Sequence, residues 1–280
     1  MLKDITVGQY YRVDSVIHRM DPRTKIIGTF LFIIELFLVK NLIGFVIAGI
    51  MLAVVIHLAK IPFRYIVRGQ KSIAFLLLFT MVLNIFMSSG DPLIKIGFLK
   101  ITKQGLYTAV FMGLRLILLV VGASMMTLTT TPLNLTDGLE KLLRPLKKIH
   151  VPVHDIAMMM SIALRFIPIL MDETDKIMKA QMARGADFES GNIMQRAKSL
   201  IPVLVPLFLS AFRRADELAT AMEARCYRGD EGRTKMKDLT YDKRDYIAQA
   251  ALLASLGIMI GTRYLPGISQ MIAAVGKLPG

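Results

Sequence analysis

Two arginines in this sequence are framed alike. Ala183-Arg184-Gly185 closes the run Ala180-Gln181-Met182, and Ala224-Arg225-Cys226 closes the run Ala221-Met222-Glu223. A guanidinium is a rigid planar fork suited to carboxylates, and small neighbours let another surface approach it closely. An Arg at a helix C-terminus also meets the negative end of the helix dipole, and Gly185 suits the left-handed cap that ends many helices. Two readings are therefore open: caps that compensate a dipole, or a pair of equivalent contacts for acidic surfaces. A single basic helix end is commonplace; the repetition favours contacts.

Other candidate chemistry is thinner. Asp172, Glu173 and Asp175 could hold Mg²⁺ in a membrane phosphotransferase, but Lys176 and Lys179 stand four residues beyond Asp172 and Asp175, the spacing of ion pairs on a solvated helix face. His150 and His154 are also four apart, yet Pro152 lies between them and no further ligands complete a metal shell. No G-x-x-x-x-G-K-[ST] loop is present to cradle phosphates. Cys226 is the single cysteine, which excludes an intramolecular disulfide. The chain reads as non-enzymatic, with no cofactor or metal of its own. Among 19 Met, the run Met158, Met159 and Met160 stands out, with Met178, Met182, Met194 and Met222 nearby in sequence. Thioethers suit a surface that repacks against exchangeable partners, and they equally fill core gaps.

The elements that position these residues follow from hydropathy. Of 280 residues, 54% are hydrophobic and 20% charged, with mean hydropathy +0.53, against roughly 45 to 50% and about 25% in soluble domains. That balance predicts an all-α polytopic membrane protein with a large wet portion. A span needs about 20 mostly apolar residues, because every backbone polar group must be satisfied inside the helix. Five stretches come close, at 26–39, 42–59, 72–88, 106–130 and 246–264. Asp21-Pro22 reads as an N-cap followed by proline at the first helical position. Arg115, Glu35 and Asn84 are polar within these stretches and could mark an ion path. The structural alternative has Arg115 snorkelling to an interface and Glu35 pairing with Lys40.

The region between the fourth and fifth stretches is different. Thr131-Pro132 ends the fourth, and Thr136-Asp137-Gly138-Leu139-Glu140 is expected to open a short helix reaching Leu143. A long helix is expected over 155–184, interrupted at Pro168, and another over 193–225 containing Pro202 and Pro206. Each has an apolar first part, 156–171 or 200–212, and a charged second part. The apolar part of the first is short for a span and is read as lying against the membrane or between partners. The organisation expected is thus an N-terminal membrane domain over 1–130, an arm of long helices over 131–244 and a final span within 245–280.

Cation placement gives orientation. On one side of the first four spans lie Lys3, Arg12, Arg19, Arg23, Lys25, Lys60, Arg64, Arg68 and Lys71; on the other lie Lys40, Lys95, Lys100 and Lys103. Nine against four puts the N-terminus in the cytoplasm, with residues 131–244 and their 19 basic residues on the same side. The opening Met1-Leu2-Lys3-Asp4 lacks the features of a secretory signal, so the spans themselves are expected to direct insertion. The net charge of +14 then belongs to topology and anionic lipid, with no nucleic-acid fold to use it.

Over nearly its whole length the sequence resembles the transmembrane T component of energy-coupling factor importers, the EcfT or CbiQ family. The residues that carry the resemblance are Asp21-Pro22-Arg23-Thr24-Lys25, Leu128-Thr129-Thr130-Thr131-Pro132 leading to Leu135-Thr136-Asp137-Gly138-Leu139, Ala163-Leu164-Arg165-Phe166-Ile167-Pro168, and above all the two Ala-Arg-small endings. The resemblance implies a subunit of the bacterial plasma membrane that joins two cytoplasmic ABC ATPases to a membrane-embedded substrate-binding S component, for uptake of vitamins or transition-metal ions. It implies that the long helices over 131–244 are coupling helices, with ATPase contacts at Ala183, Arg184, Gly185, Ala224, Arg225 and Cys226, and that ATP and Mg are held by the ATPases. Met158, Met159 and Met160 are the candidate S-component contact. Cys226 stands where the family has Gly, a small-for-small change that keeps the Arg but removes the residue best suited to a left-handed cap. A conventional ABC permease, with its own substrate path and one coupling loop, and a membrane enzyme built on Asp172, Glu173 and Asp175 are the competing classes.

Overall fold

The computed structural model describes residues 10–39, 42–87, 92–96, 99–188, 190, 192–229 and 238–264. Lys3 and Lys40, used above for orientation and pairing, lie outside them. The elements in chain order are α1 (Pro22–Leu38), α2 (Leu42–Ala59), α3 (Phe63–Met87), a hairpin of β1 (Pro92–Ile96) and β2 (Leu99–Thr102), α4 (Lys103–Thr129), α5 (Pro132–Leu143), a 3-10 turn (Arg144–Ile149), α6 (Val153–Ala183), α7 (Ile193–Ala224) and α8 (Lys243–Tyr264). The protein is all-α apart from that antiparallel hairpin, in which Lys95 pairs with Lys100 and Ile96 with Leu99. Among the described residues, each of the five apolar stretches falls within one helix, to within a residue at its end: α1, α2, α3, α4 and α8. Position 88, the last of the third stretch, lies outside the described residues.

Two compact units divide the chain, one of residues 9–138 and 239–280, the other of residues 1–8 and 139–238. In the first, α1, α2, α4 and α8 pack around Phe32, Leu36, Phe45, Leu52, Met125, Leu128 and Met259. Gly122 lets α4 close on α1, since a Cβ there would sit 2.5 Å from Phe32 Cε1. The outward faces stay apolar: Phe75 is 78% and Phe30 66% exposed, and long runs of Leu, Ile, Val and Phe line them. Water does not tolerate a surface of that kind, whereas lipid does. The described helical segments Gly105–Thr129 and Val153–Ala183 are long and apolar enough to cross a membrane; Ile43–Ala59 and Ile73–Ile85 are apolar but shorter. For Val153–Ala183 this corrects the expectation of an apolar run too short for a span, because the helix continues through Pro168; a span and a helix lying against the membrane or a partner share that length and composition.

The helix ends of this unit are tied together by polar groups. Asp21 caps α1, its Oδ1 accepting from Arg23 N at 2.8 Å, with Pro22 at the first helical position. Asp245, 1% exposed, accepts from Asp21 N and from Asp242 N, both at 2.9 Å, so a single carboxylate joins the start of α8 to the start of α1. The Arg23 guanidinium bonds Asp21 at 2.8 Å, donates to Leu239 O at 3.0 Å and lies 3.9 Å over the Tyr241 ring. Lys25 Nζ donates to Thr129 O at 2.9 Å, which brings the last turn of α4 to the same end.

At the opposite end, Arg115 Nη2 donates to Val39 O at 3.0 Å and the guanidinium lies 5.6 Å from the centre of the Phe45 ring. It closes the C-terminus of α1. Glu35 is fully buried and accepts from Ser255 Oγ at 2.6 Å, so its partner among the described residues is a hydroxyl of α8. Asn84 Nδ2 turns back onto its own helix, donating to Thr80 O at 2.9 Å.

Several boundaries differ from the sequence expectation. Helix α5 opens at Pro132 instead of Thr136: Thr131 Oγ1 accepts from Asn134 N at 3.3 Å and Pro132 takes the first helical position, the device already used at Asp21-Pro22. Thr136, read as the opening of that helix, donates to Pro132 O at 3.0 Å and is buried. Helix α6 runs unbroken through Pro168 for 31 residues. The proline removes one intrahelical bond, a loss the remaining turns and the packing of α6 on α7 outweigh. Helix α3 begins at Phe63, because Arg64 and its neighbours prolong the helix beyond the apolar stretch that starts at Ser72.

Candidate functional site

The second unit is built on α6 and α7. Two contacts fix their mutual direction: Gln181 Nε2 donates to Pro202 O at 3.3 Å, and Arg214 Nη2 pairs with Glu173 Oε2 at 3.3 Å. Residue numbers rise along α6 as they fall along α7, so the two helices are antiparallel. His154 Nδ1, 3.0 Å from Glu140 Oε1, ties the start of α6 to the preceding helix. No ion pair joins Asp172 to Lys176 or Asp175 to Lys179; Glu173 and Arg214 make the charged link instead, across the helix pair. Among the described residues no three acidic, His or Cys side chains group as a metal site.

The two Ala-Arg-small sequences end these helices in the same way. Arg184 is the C-cap of α6 and Arg225 that of α7. Gly185 N donates to Met182 O at 2.9 Å and Ala186 N to Gln181 O at 3.0 Å; Cys226 N donates to Glu223 O at 2.8 Å and Tyr227 N to Met222 O at 3.1 Å. These are paired 5→2 and 6→1 bonds of the Schellman motif, formed twice. The motif needs a left-handed residue just past the cap, which Gly185 supplies at φ 87° and Cys226 at φ 56°. The expectation drawn from losing Gly at the second tip is thus corrected: Cys226 adopts the glycine-type cap, because the two recovered hydrogen bonds outweigh a backbone cost of about 1 kcal/mol.

Both guanidiniums are exposed, and both lie just past the last helical residue, where the orphan carbonyls favour positive charge. Antiparallel packing puts them at opposite ends of the helix pair. Arg225 faces the turn of α6 around Met158 and Ile162, so about 24 residues of α6, at 1.5 Å each, or about 35 Å, lie between the two tips.

Their surroundings differ. Arg225 borders a cleft of about 720 Å³ between α6 and α7, lined also by Met158, Arg165, Phe166, Met222, Tyr227 and Arg228. Arg165 and Arg228 were not singled out by spacing as partners of Arg225; they meet it because α6 begins where α7 ends. Met158 lies in this cleft, whereas Met159 is 59% exposed beside it. Along α7, Leu204, Val205, Phe208, Leu209 and Phe212 form an uncovered apolar face within this unit. The sequence reading also passed over the Asp245 and Tyr241 contacts to α1; the Asp242-x-x-Asp245 spacing, an acidic N-cap followed by an acidic third residue, was the available signal.

Comparison with known proteins bears on the whole chain. Residues 14–236 match the CbiQ family, described as cobalt transport protein. The chain is 56% identical to the energy-coupling factor transporter transmembrane protein EcfT of Clostridium kluyveri over 265 residues, covering 94% of this chain and 98% of that one. It is 52% identical to the EcfT protein of Ruminiclostridium cellulolyticum, with 95% and 99% covered, and 49% identical to that of Bacillus subtilis, with 91% and 98% covered.

Proposed function

The chain belongs to the CbiQ family, as a transmembrane component of the EcfT type in energy-coupling factor transporters, and from that premise we propose that it couples two cytoplasmic ABC ATPases to a membrane-embedded S component for ATP-driven uptake of a vitamin or transition-metal ion. It is the non-catalytic subunit of such an assembly: ATP and Mg²⁺ belong to the ATPases, and the substrate belongs to the S component. It sits in the bacterial cell membrane with its N-terminus and residues 131–244 in the cytoplasm, the sidedness that the distribution of Lys and Arg favours.

One observation carries this reading. Two exposed arginines, each presented by the same capped helix end, stand about 35 Å apart along one antiparallel helix pair. A fork at each end of a stiff rod addresses two copies of a partner, one per end, as a single coupling loop would not. Ala183, Arg184 and Gly185 then engage one ATPase, and Ala224, Arg225 and Cys226 the other. Closure of the ATPases on ATP moves the two ends, and the rods carry that motion to their apolar portions, where Met158, Met159, Met160 and the apolar face of α7 bear on the S component.

The test is co-purification of ATPase and uptake of substrate with Arg184→Glu, Arg225→Glu and the double variant, each scored beside its membrane content. Reversing a charge at a desolvated contact weakens binding by about a hundredfold or more. Each single variant is expected to keep one ATPase, and the double variant neither, with uptake abolished and the protein still in the membrane. Unchanged uptake by the double variant would refute the coupling role.

A further inference from the structure

Within the first unit, α1, α2, α4 and α8 leave a half-open crevice of about 380 Å³, a volume typical of small-molecule pockets. Its walls are apolar, with Met51 and Val55 from α2, Met125 from α4 and Leu252 from α8 among them. The polar groups lie at one end. Lys25 and Arg244 stand in the first turns of α1 and α8, and Thr24 Oγ1, on a residue 1% exposed, has no hydrogen-bond partner among the described atoms. Lys25 Nζ donates to His18 O at 3.2 Å and Thr129 O at 2.9 Å, which leaves its third N–H unspent. Arg244 is 3.5 Å from Asp242 through Nε, leaving the terminal nitrogens of its guanidinium for another acceptor.

We propose that this crevice holds one acyl chain of an anionic phospholipid from the surrounding bilayer, with the headgroup phosphate at Lys25 and Arg244. Two features select this occupant. The apolar walls run along the helices from the end that carries the cations, so a chain and a charged head are accommodated in the order a bilayer lipid presents them. Among the described residues, Lys25 and Arg244 are the charged groups that line the crevice, which makes an anionic head favourable and a cationic one unfavourable. The volume admits one chain, leaving the second in the bilayer. This site does not depend on the ATPase or S-component contacts, and its test reads no transport.

The test uses full-length protein in mixed micelles with phosphatidylglycerol or phosphatidylcholine bearing the same photoactivatable acyl chain, followed by peptide mapping. Labelling is expected to concentrate in residues 51–58 and 247–252. It should be about fivefold greater with phosphatidylglycerol, the value of one extra ion contact near a membrane surface. Arg244→Gln is expected to remove most of that preference, and Ala251→Phe, which fills the crevice, to remove the label there. Labels spread evenly over all outward helix faces would overturn the crevice as a site, and equal labelling by the two lipids would overturn the phosphate contact. If Ala251→Phe does not fold, the label map and headgroup preference of the unaltered chain decide both points.

Discussion

At the scale of single residues, backbone conformation counts as much as charge. Gly185 and Cys226 perform one task, holding a left-handed φ so that two carbonyls at each helix end are bonded. A Cβ on Gly185 would meet nothing within 4 Å, so Gly185→Ala tests backbone strain alone and is expected to cost about 1 kcal/mol. Cys226→Gly relieves that strain at the other tip and should raise stability by up to about 1 kcal/mol, less the chain entropy that glycine forfeits on folding. Melting of the purified protein in detergent measures both, and a destabilised Cys226→Gly would show that the thiol itself is needed. His18 offers a pH test. Its ring lies between Ser15 Oγ at 2.7 Å and Tyr11 O at 2.9 Å, and burial pushes its pKa below the ordinary 6.5. Because the folded value is depressed, the stabilising contribution is full above the unfolded value and is lost as pH falls through the folded one. Unfolding midpoints are expected to drop on acidification below about pH 6.5. His18→Gln should flatten that part of the profile; an unaltered slope would remove His18 as its source.

At the scale of elements, helix ends do the positioning. Asp245 serves two of them, satisfying the Asp21 amide at the start of α1 and the Asp242 amide at the start of α8. Asp245→Ala strands a buried N–H and removes a cap, a loss of about 2 to 3 kcal/mol. Asp245→Asn, which keeps one acceptor oxygen, should lose about half as much. The readouts are the melting point and amide exchange at Asp21, and an unshifted melting point for Asp245→Ala would show that the α1 and α8 starts are held by other contacts. The Asp21-Pro22-Arg23-Thr24-Lys25 segment has the same structural purpose, with Asp21 capping, Arg23 stacking on Tyr241 and Lys25 reaching the end of α4. Pro202 and Pro206 are carried inside α7, as the sequence led one to expect, but Pro168 is carried inside α6 as well. The continuity at Pro168 was not legible from the local sequence rule, which weighs a missing bond but not the thirty or so neighbours that keep theirs.

At the scale of the whole molecule, each unit settles a different question. In the first, the starts of α1 and α8 and the end of α4 gather at one end, the arrangement that the density of basic residues around those termini suggests. In the second, antiparallel packing separates two nearly identical arginine tips. Under the proposed coupling role, separated tips address two partner molecules where adjacent tips would compete for one, so the single variants Arg184→Glu and Arg225→Glu are expected to differ from the double variant in the number of ATPases retained.

The sequence by itself determined the all-helical membrane class, the five apolar stretches, the two long helices between them and the identity of the tip residues. Each of these rests on local properties: hydropathy, helix capping and residue type along one strand of chain. Only the tertiary structure decided that Glu35 pairs with Ser255, that Glu173 binds Arg214 instead of a lysine on its own helix, and that Arg165 and Arg228 share a cleft with Arg225. Those partners lie far apart in sequence, and their meeting depends on which helices pack and in which direction, a matter no local pattern encodes. The left-handed Cys226 belongs with them, since its intrinsic preference opposes the conformation that the completed helix end imposes.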